Sequence, residues 1–321
     1  MRKIIVAVLL IAIMSCSICA FAGCTPADYK VGIVQHIEHV ALDKSNEGFR
    51  NKLTELMKED GKTVKFYVRN ANGDTTNNTT AADTLVAQRV DLIFAIATPS
   101  AQAVQASTSE SKIPVVFSAV TSATEADLTA ENVTGTTDLN DIKKQIDLMI
   151  ELVPNAKKFG VMYTTSEQNS IIQKNMAKNY MESKGITFVD GGGITETDQI
   201  EQVFKTFQSQ KVDCIYIPTD NKLAAAADTV HAFNLSTESY LPIVCGEGGM
   251  NDICGIATYG VDYYAIGARA GEMAYEILTG KKSIKDIPVE NPTGFELSVN
   301  ETVAKAIGFT IPQLVLDKLS K

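Results

Sequence analysis

The chain has 321 residues, enough for two ordinary domains whose cores need no disulfide or metal staple. Hydrophobic residues make up 45% and charged residues 21%, which excludes disordered and collagen-like classes. With 29 basic against 38 acidic side chains the formal charge is -9, a surface that a phosphate backbone repels, so no nucleic-acid partner is expected.

Met1-Arg2-Lys3 is a short basic start, and residues 4–21 form an almost unbroken apolar stretch ending in small residues before Cys24. The pattern predicts a secretory signal over residues 1–23, although its length overlaps that of a transmembrane helix. Phe21-Ala22-Gly23-Cys24 resembles the bacterial lipobox, with Phe21 where leucine is usual; Ile13-Met14-Ser15-Cys16 is a poorer match. The resemblance implies that Cys24 is diacylated and becomes the new N-terminus, that residues 24–28 are a tether, and that the protein sits on the outer face of the cell membrane. Two acyl chains are what stable anchoring needs. Cys16 and Cys19 lie inside the removed segment, so their C-x-x-C spacing carries no redox reading. Cys214, Cys245 and Cys254 lie in or beside apolar runs and read as small buried hydrophobes, with at most one disulfide among them.

Beyond the tether, apolar runs and amphipathic stretches alternate. Strands are expected at residues 31–34, 90–96, 113–117, 159–162, 187–189, 212–217, 241–245 and 295–299. Helices are expected at 46–58, 79–89, from Thr98 onward, and at 141–152, 170–184, 199–209, 263–279 and 301–307. Val31-Gly32-Ile33-Val34 returns as Phe159-Gly160-Val161-Met162, 128 residues later. The run from Val90-Asp91 returns at Val212-Asp213, offset 122, and Ile113-Pro114 returns at Leu241-Pro242, offset 128. Three matched pairs in one order argue for two copies of one α/β unit.

The expected fold class is therefore α/β: two doubly wound, Rossmann-like lobes with parallel sheets covered on both faces. Asn132-Val133-Thr134-Gly135-Thr136 reads as the first crossing between lobes and the run Ile256 to Val261 as the return. This assigns residues 29–135 plus 262–288 to lobe one and 136–261 plus 289–321 to lobe two. Ligands in such sheets bind beyond the carboxyl ends of the strands.

Several motifs resemble the substrate-binding lipoproteins of ABC transporters, of the type I periplasmic-binding-protein fold, in the branch associated with tryptophan and other aromatic amino acids. They are Ala97-Thr98-Pro99, Phe117-Ser118-Ala119-Val120-Thr121, Asn132-Val133-Thr134-Gly135, Val153-Pro154-Asn155-Ala156-Lys157, Glu167-Gln168-Asn169-Ser170, Ile217-Pro218-Thr219-Asp220-Asn221 and Gly260-Val261-Asp262-Tyr263-Tyr264. The resemblance implies a monomer joined by a hinge of three segments, an amino-acid ligand between closing lobes, and a permease and ATPase as partners. Where the family continues with Asp-Pro after the threonine, this chain has Ser122-Ala123, so a carboxylate at a cleft loop is absent.

The cleft loops supply the candidate ligand residues. Thr98-Pro99-Ser100 starts a helix with proline at its first position, an anion site suited to a ligand carboxylate or simply a capped helix. Ser118 and Thr121 add hydroxyls. Asp220, with Asn221 beside it, either pairs with a ligand ammonium from the opposite lobe or caps the helix that follows. Glu247 is the second acid, Ser166 and Asn169 stand at a helix start, and Gln35, His36 and Tyr259 complete the set. His36, Glu38 and His39 fit no common zinc spacing and read as a polar lip, so neither a metal nor a cofactor is expected. Gly191-Gly192-Gly193 lacks the G-x-x-x-x-G-K-[ST] context and is a loop. Without G-x-S-x-G or a nucleophile near a histidine in sequence, no catalytic reading arises. Open alternatives are a surface sensor of the same fold, or a sugar or nucleoside ligand.

If Cys24 carries the anchor, Cys24→Ala leaves the protein either released from membranes or unprocessed with its signal attached. Fractionation with labelled fatty acid checks this, and normal processing with lipid incorporation in the variant contradicts it.

Overall fold

The computed structural model of the chain describes residues 27–236 and 240–319; the expected signal, Cys24 and most of the tether lie outside the described residues. No helix among the described residues is long and apolar enough to cross a membrane.

The first sheet contains β1 (Tyr29–Gln35), β2 (Val64–Asn70), β3 (Leu92–Ile96), β4 (Val115–Val120) and β5 (Val133–Thr137). Its order is β2-β1-β3-β4-β5, parallel throughout. The second contains β6 (Lys158–Val161), β7 (Thr187–Asp190), β8 (Cys214–Ile217), β9 (Ile243–Cys245), β10 (Ala257–Gly260) and β11 (Glu296–Val299), in the order β11-β10-β9-β8-β6-β7. Only β11 runs antiparallel, at the edge. Read from the opposite end, β7-β6-β8-β9-β10 matches β2-β1-β3-β4-β5 place for place, so the sequence repeat is a structural one. Even the aspartate of the repeat has one job: Asp91 accepts from the backbone N–H of Lys30 at 2.7 Å, and Asp213 from that of Lys158 at 2.9 Å.

The helices are α1 (Val40–Glu59), α2 (Thr75–Ala87), α3 (Thr98–Ser107), α4 (Ile142–Leu152), α5 (Gln168–Ser183), α6 (Ile200–Ser209), α7 (Asn221–Ala225), α8 (Ala227–Ser236), α9 (Gly248–Asn251), α10 (Tyr263–Leu278), α11 (Glu301–Ala306) and α12 (Gln313–Leu316). β3, β4, β8 and β9 are apolar runs buried along their whole length, which is why sequence exposes them. β2 was not foreseen: Lys65 and Arg69 interrupt it, as befits a half-buried edge strand. α2 begins four residues before its expected start because Asp74 caps it, accepting from the Asn77 N–H at 2.8 Å. Cys214, Cys245 and Cys254 are buried free thiols.

The chain passes between the sheets three times: after β5, after β10 and before β11. α10 returns to the first sheet and lies against α1, where glycines permit close backbone approach. A Cβ at Gly267 would stand 2.0 Å from Ser45 O, and one at Gly48 2.2 Å from Tyr264 O. Below this contact Phe49 stacks on Phe94, centroids 3.8 Å apart. The second lobe has its own core around Phe159, Tyr216, Phe204 and Phe207.

Gly267→Ala therefore forces α10 off α1. Overpacking of this kind costs roughly 1–3 kcal/mol, so calorimetry should record a lower melting temperature for the variant; an unchanged melt contradicts the close contact.

Candidate ligand-binding site

The strand ends of the two sheets face each other. On the first lobe, Ala97 (φ 77°) and Ala119 (φ 58°) hold left-handed backbone that non-glycine residues adopt only when their surroundings impose it, and both sit at this edge. Ala97 leads into α3, whose first N–H groups, on Thr98 and Ser100, precede the intrahelical ladder and have no capping side chain. Thr98 is buried. Ser100 Oγ donates to Asn78 Oδ1 at 2.7 Å, and Asn78 Nδ2 lies 2.9 Å from His36 Nδ1. With the amide nitrogen as donor, Nδ1 accepts, and the proton of neutral His36 is on Nε2. Burial depresses the His36 pKa to about 4, so the ring is neutral at pH 7.

Not every expected residue on this wall is free to meet a ligand. Ser118 Oγ accepts from Ser45 Oγ and Thr136 Oγ1, each at 3.0 Å, on the side of the sheet that carries α1 and α10. Gln35 ties the β1–α1 loop, donating to Asp43 Oδ1 (2.7 Å) and the Ile37 carbonyl and accepting from Asn46 (2.9 Å).

The second wall is built on buried carboxylates. Asp220 Oδ2 accepts from Thr164 N–H (2.6 Å) and Ser170 Oγ (2.7 Å), and Oδ1 from Thr164 Oγ1 (2.8 Å) and Leu223 N–H (2.8 Å). All four acceptor positions are filled from within its own lobe. Asp220 caps α7, one of its two expected roles, and fastens the β6 loop to the β8 loop as well. Burial, then the neighbouring Glu167, push its pKa up to about 7. Glu167 also receives four donors, Asn221 N–H, Asn221 Nδ2 and Asn169 Nδ2 on Oε2 and Lys222 N–H on Oε1.

Glu247 differs. It caps α9 with one backbone donor per oxygen, from Gly249 and Met250, which leaves one acceptor position on each. It is 1% exposed and lines a cavity of about 280 Å³ between Ala41 and Lys44 of the first lobe and Thr258 and Tyr263. Burial raises its pKa to about 7. Asn169 donates to the Thr219 carbonyl at 2.8 Å while its own Oδ1 is buried without a hydrogen-bond partner.

The lobes touch along their lips. His39 Nε2 lies 3.4 Å from Asn221 Oδ1, Gln102 Nε2 donates to Gln168 Oε1 at 3.0 Å, and Gln168 Nε2 reaches the Glu125 carbonyl. Thr121 accepts from Gln173 of α5 at 2.9 Å and so bridges the lobes. Ser166 is exposed. Tyr259 stands apart: its hydroxyl accepts from Lys144 Nζ (3.1 Å), its ring lies 6.0 Å from that of Phe295, and it lines a separate cavity with Leu148 and Leu297. Among the described residues no three His, Cys, Asp or Glu side chains form a group that could hold a metal. Asn78, Glu167, Asp138 and Gln173 were not singled out from sequence as site residues; only Glu167 lay within a motif that drew notice.

Known proteins resemble the chain over most of its length. A "Tyrosine-binding protein" of Clostridioides difficile is 36% identical over 283 residues, 86% of this chain and 80% of that one. A Streptococcus pneumoniae ABC domain in complex with L-Trp superposes with a TM-score of 0.80 at 32% identity, covering 89% of this chain and 98% of that one. The ligand-free, open structure of a Clostridium difficile substrate binding protein with adhesive properties gives 0.64 at 33% identity, covering 88% and 96%. At equal relatedness the chain thus superposes better on the ligand-bound structure than on the open one, in keeping with its touching lips. Type I periplasmic-binding neighbours of lower identity, such as a leucine binding protein of Thermotoga maritima (13%, TM-score 0.60, covering 80% and 84%), share the fold. Residues 30–321 match the family described as ABC transporter substrate binding protein, and the chain belongs to that family.

Proposed function

We propose that this protein is the exported, lipid-anchored binding component of an ABC importer, working as a monomer with a membrane permease and ATPase, and that it takes an α-amino acid with an aromatic or large apolar side chain between its lobes. The observation that carries this reading is that the strand-end loops of the first lobe carry free donors and those of the second carry free acceptors. The first lobe offers donors: the Thr98 and Ser100 N–H groups at the positive end of α3 and the Nε2–H of His36. The second offers acceptors: the two open positions of Glu247 and the unpartnered Asn169 Oδ1. A zwitterion places its carboxylate on one and its ammonium on the other, and only the closed arrangement serves both. The tryptophan complex and the tyrosine-binding relative support the side-chain class.

Asp220 supports the wall rather than meeting the ligand in this reading. Asp220→Ala leaves Thr164, Ser170 and Leu223 without their acceptor, each buried unsatisfied group costing about 1–3 kcal/mol. The variant should melt lower and bind amino acids more weakly together; an unaltered melt with binding lost would instead restore the ammonium role to Asp220.

Calorimetry with tryptophan, tyrosine and phenylalanine is the direct test, and failure to bind any amino acid removes the ligand class. Loss of a buried charged partner costs roughly 2–5 kcal/mol, about 30-fold to several thousandfold in affinity. Glu247→Gln should show such a loss at pH 8. The raised pKa sets the sign of the pH effect: below about 7 the parent's Glu247 is protonated and cannot pair with an ammonium, so parent affinity should fall between pH 8 and pH 6. The glutamine variant should lack that dependence; equal pH profiles for the two proteins contradict the role of Glu247.

A further inference from the structure

One fully buried side chain joins the lobes away from the lips. Gln173 lies in α5 of the second lobe, and its Oε1 accepts from the N–H (3.1 Å) and the hydroxyl (2.8 Å) of Thr219, the residue that leads into Asp220 and Asn221. That acceptance orients the amide, so Nε2 is the group that faces the first lobe, donating to Thr121 Oγ1 at 2.9 Å. Thr121 donates to Asp138 Oδ1 (3.3 Å) in the first crossing, and Asp138 Oδ2 accepts from the Tyr263 hydroxyl (2.7 Å) at the entry to α10. Thr219, Gln173, Thr121, Asp138 and Tyr263 form one hydrogen-bonded line, none more than 8% exposed, from the loop after β8 to two of the three crossings.

Within this line the Gln173–Thr121 bond joins the body of one lobe to the body of the other; the remaining bonds stay within a lobe or run to a crossing. We propose that this bond is the latch that sets the balance between open and closed forms, and that Gln173 is the positioning residue that couples closure to the placement of the 219–221 loop. Its amide holds Thr219 with one end and the opposite lobe with the other, so the loop and the lobes move together. The inference rests on the proposed function only in taking closure as the step that completes the site.

The test uses the full chain with one spectroscopic label on an exposed surface of each lobe and no ligand added, reading the distribution of lobe–lobe distances. Breaking one buried hydrogen bond should move the ratio of closed to open forms about tenfold toward open in Thr121→Val. Gln173→Leu should do the same, and the double variant should go no further than either single one. Thr121→Ser, which keeps the hydroxyl, should restore the parental distribution. Circular dichroism on each variant separates loss of fold from loss of latch, and Thr121→Val leaves the Gln173–Thr219 contacts in place should Gln173→Leu not fold. A distribution unmoved by Thr121→Val, single effects that add, or a parent open throughout without ligand overturns the proposal. Because no amino acid enters the measurement, an error in the ligand class leaves this readout intact.

Discussion

Four buried carboxylates, Asp138, Glu167, Asp220 and Glu247, hold the lobe boundary together, and none of them is in an ion pair among the described residues. A carboxylate taken from water needs compensating donors. Here the donors are backbone N–H groups and hydroxyls from neighbouring loops, so each acid organises the segments around it. Asp220 and Glu167 gather the loops after β6 and β8 and the start of α7; Asp138 gathers the first crossing and the entry to α10. Glu247, like Asp138, receives one donor per oxygen, fewer than Asp220 and Glu167. Burial pushes Asp138 up to about 6 and Glu247 up to about 7, in keeping with donors that only partly offset the loss of water.

The same logic reaches the backbone. Ala97 and Ala119 take left-handed conformations at the edge where α3 and the β4 loop meet the cleft, and Ala119 lies where the register between β4 and β5 shifts. The lobes have separate cores, and α10, the returning helix, packs closely on α1 of the first. At the three short crossings the contacts named above are side-chain hydrogen bonds, among them Thr121 and Tyr263 with Asp138.

Much of the fold was legible in the sequence because fully buried parallel strands are continuous apolar runs, and because a duplicated unit repeats its punctuation: Val90-Asp91 and Val212-Asp213 mark the same strand start and the same aspartate bond in both lobes. The edge strand β2 was not legible, since half-burial allows Lys65 and Arg69 to break the run. Loops of the site were visible as polar segments after apolar ones. Their individual roles were not: Ser118 and Gln35 point into the fold, and Tyr259 belongs to another cavity.

By itself, then, the sequence determined two α/β lobes, their order along the chain, and which loops line the space between them, because these follow from local periodicity and from a repeat. Which of three acids in that space receives the fewest donors was decided by tertiary structure alone. Asp220, Glu167 and Glu247 all directly precede helices and look alike in sequence, and their difference lies in how many donors converge on each from residues about 50 positions away, Thr164 and Ser170 on Asp220 and Asn221 on Glu167. Hydrogen-bond satisfaction is a property of that convergence, and no local pattern records it.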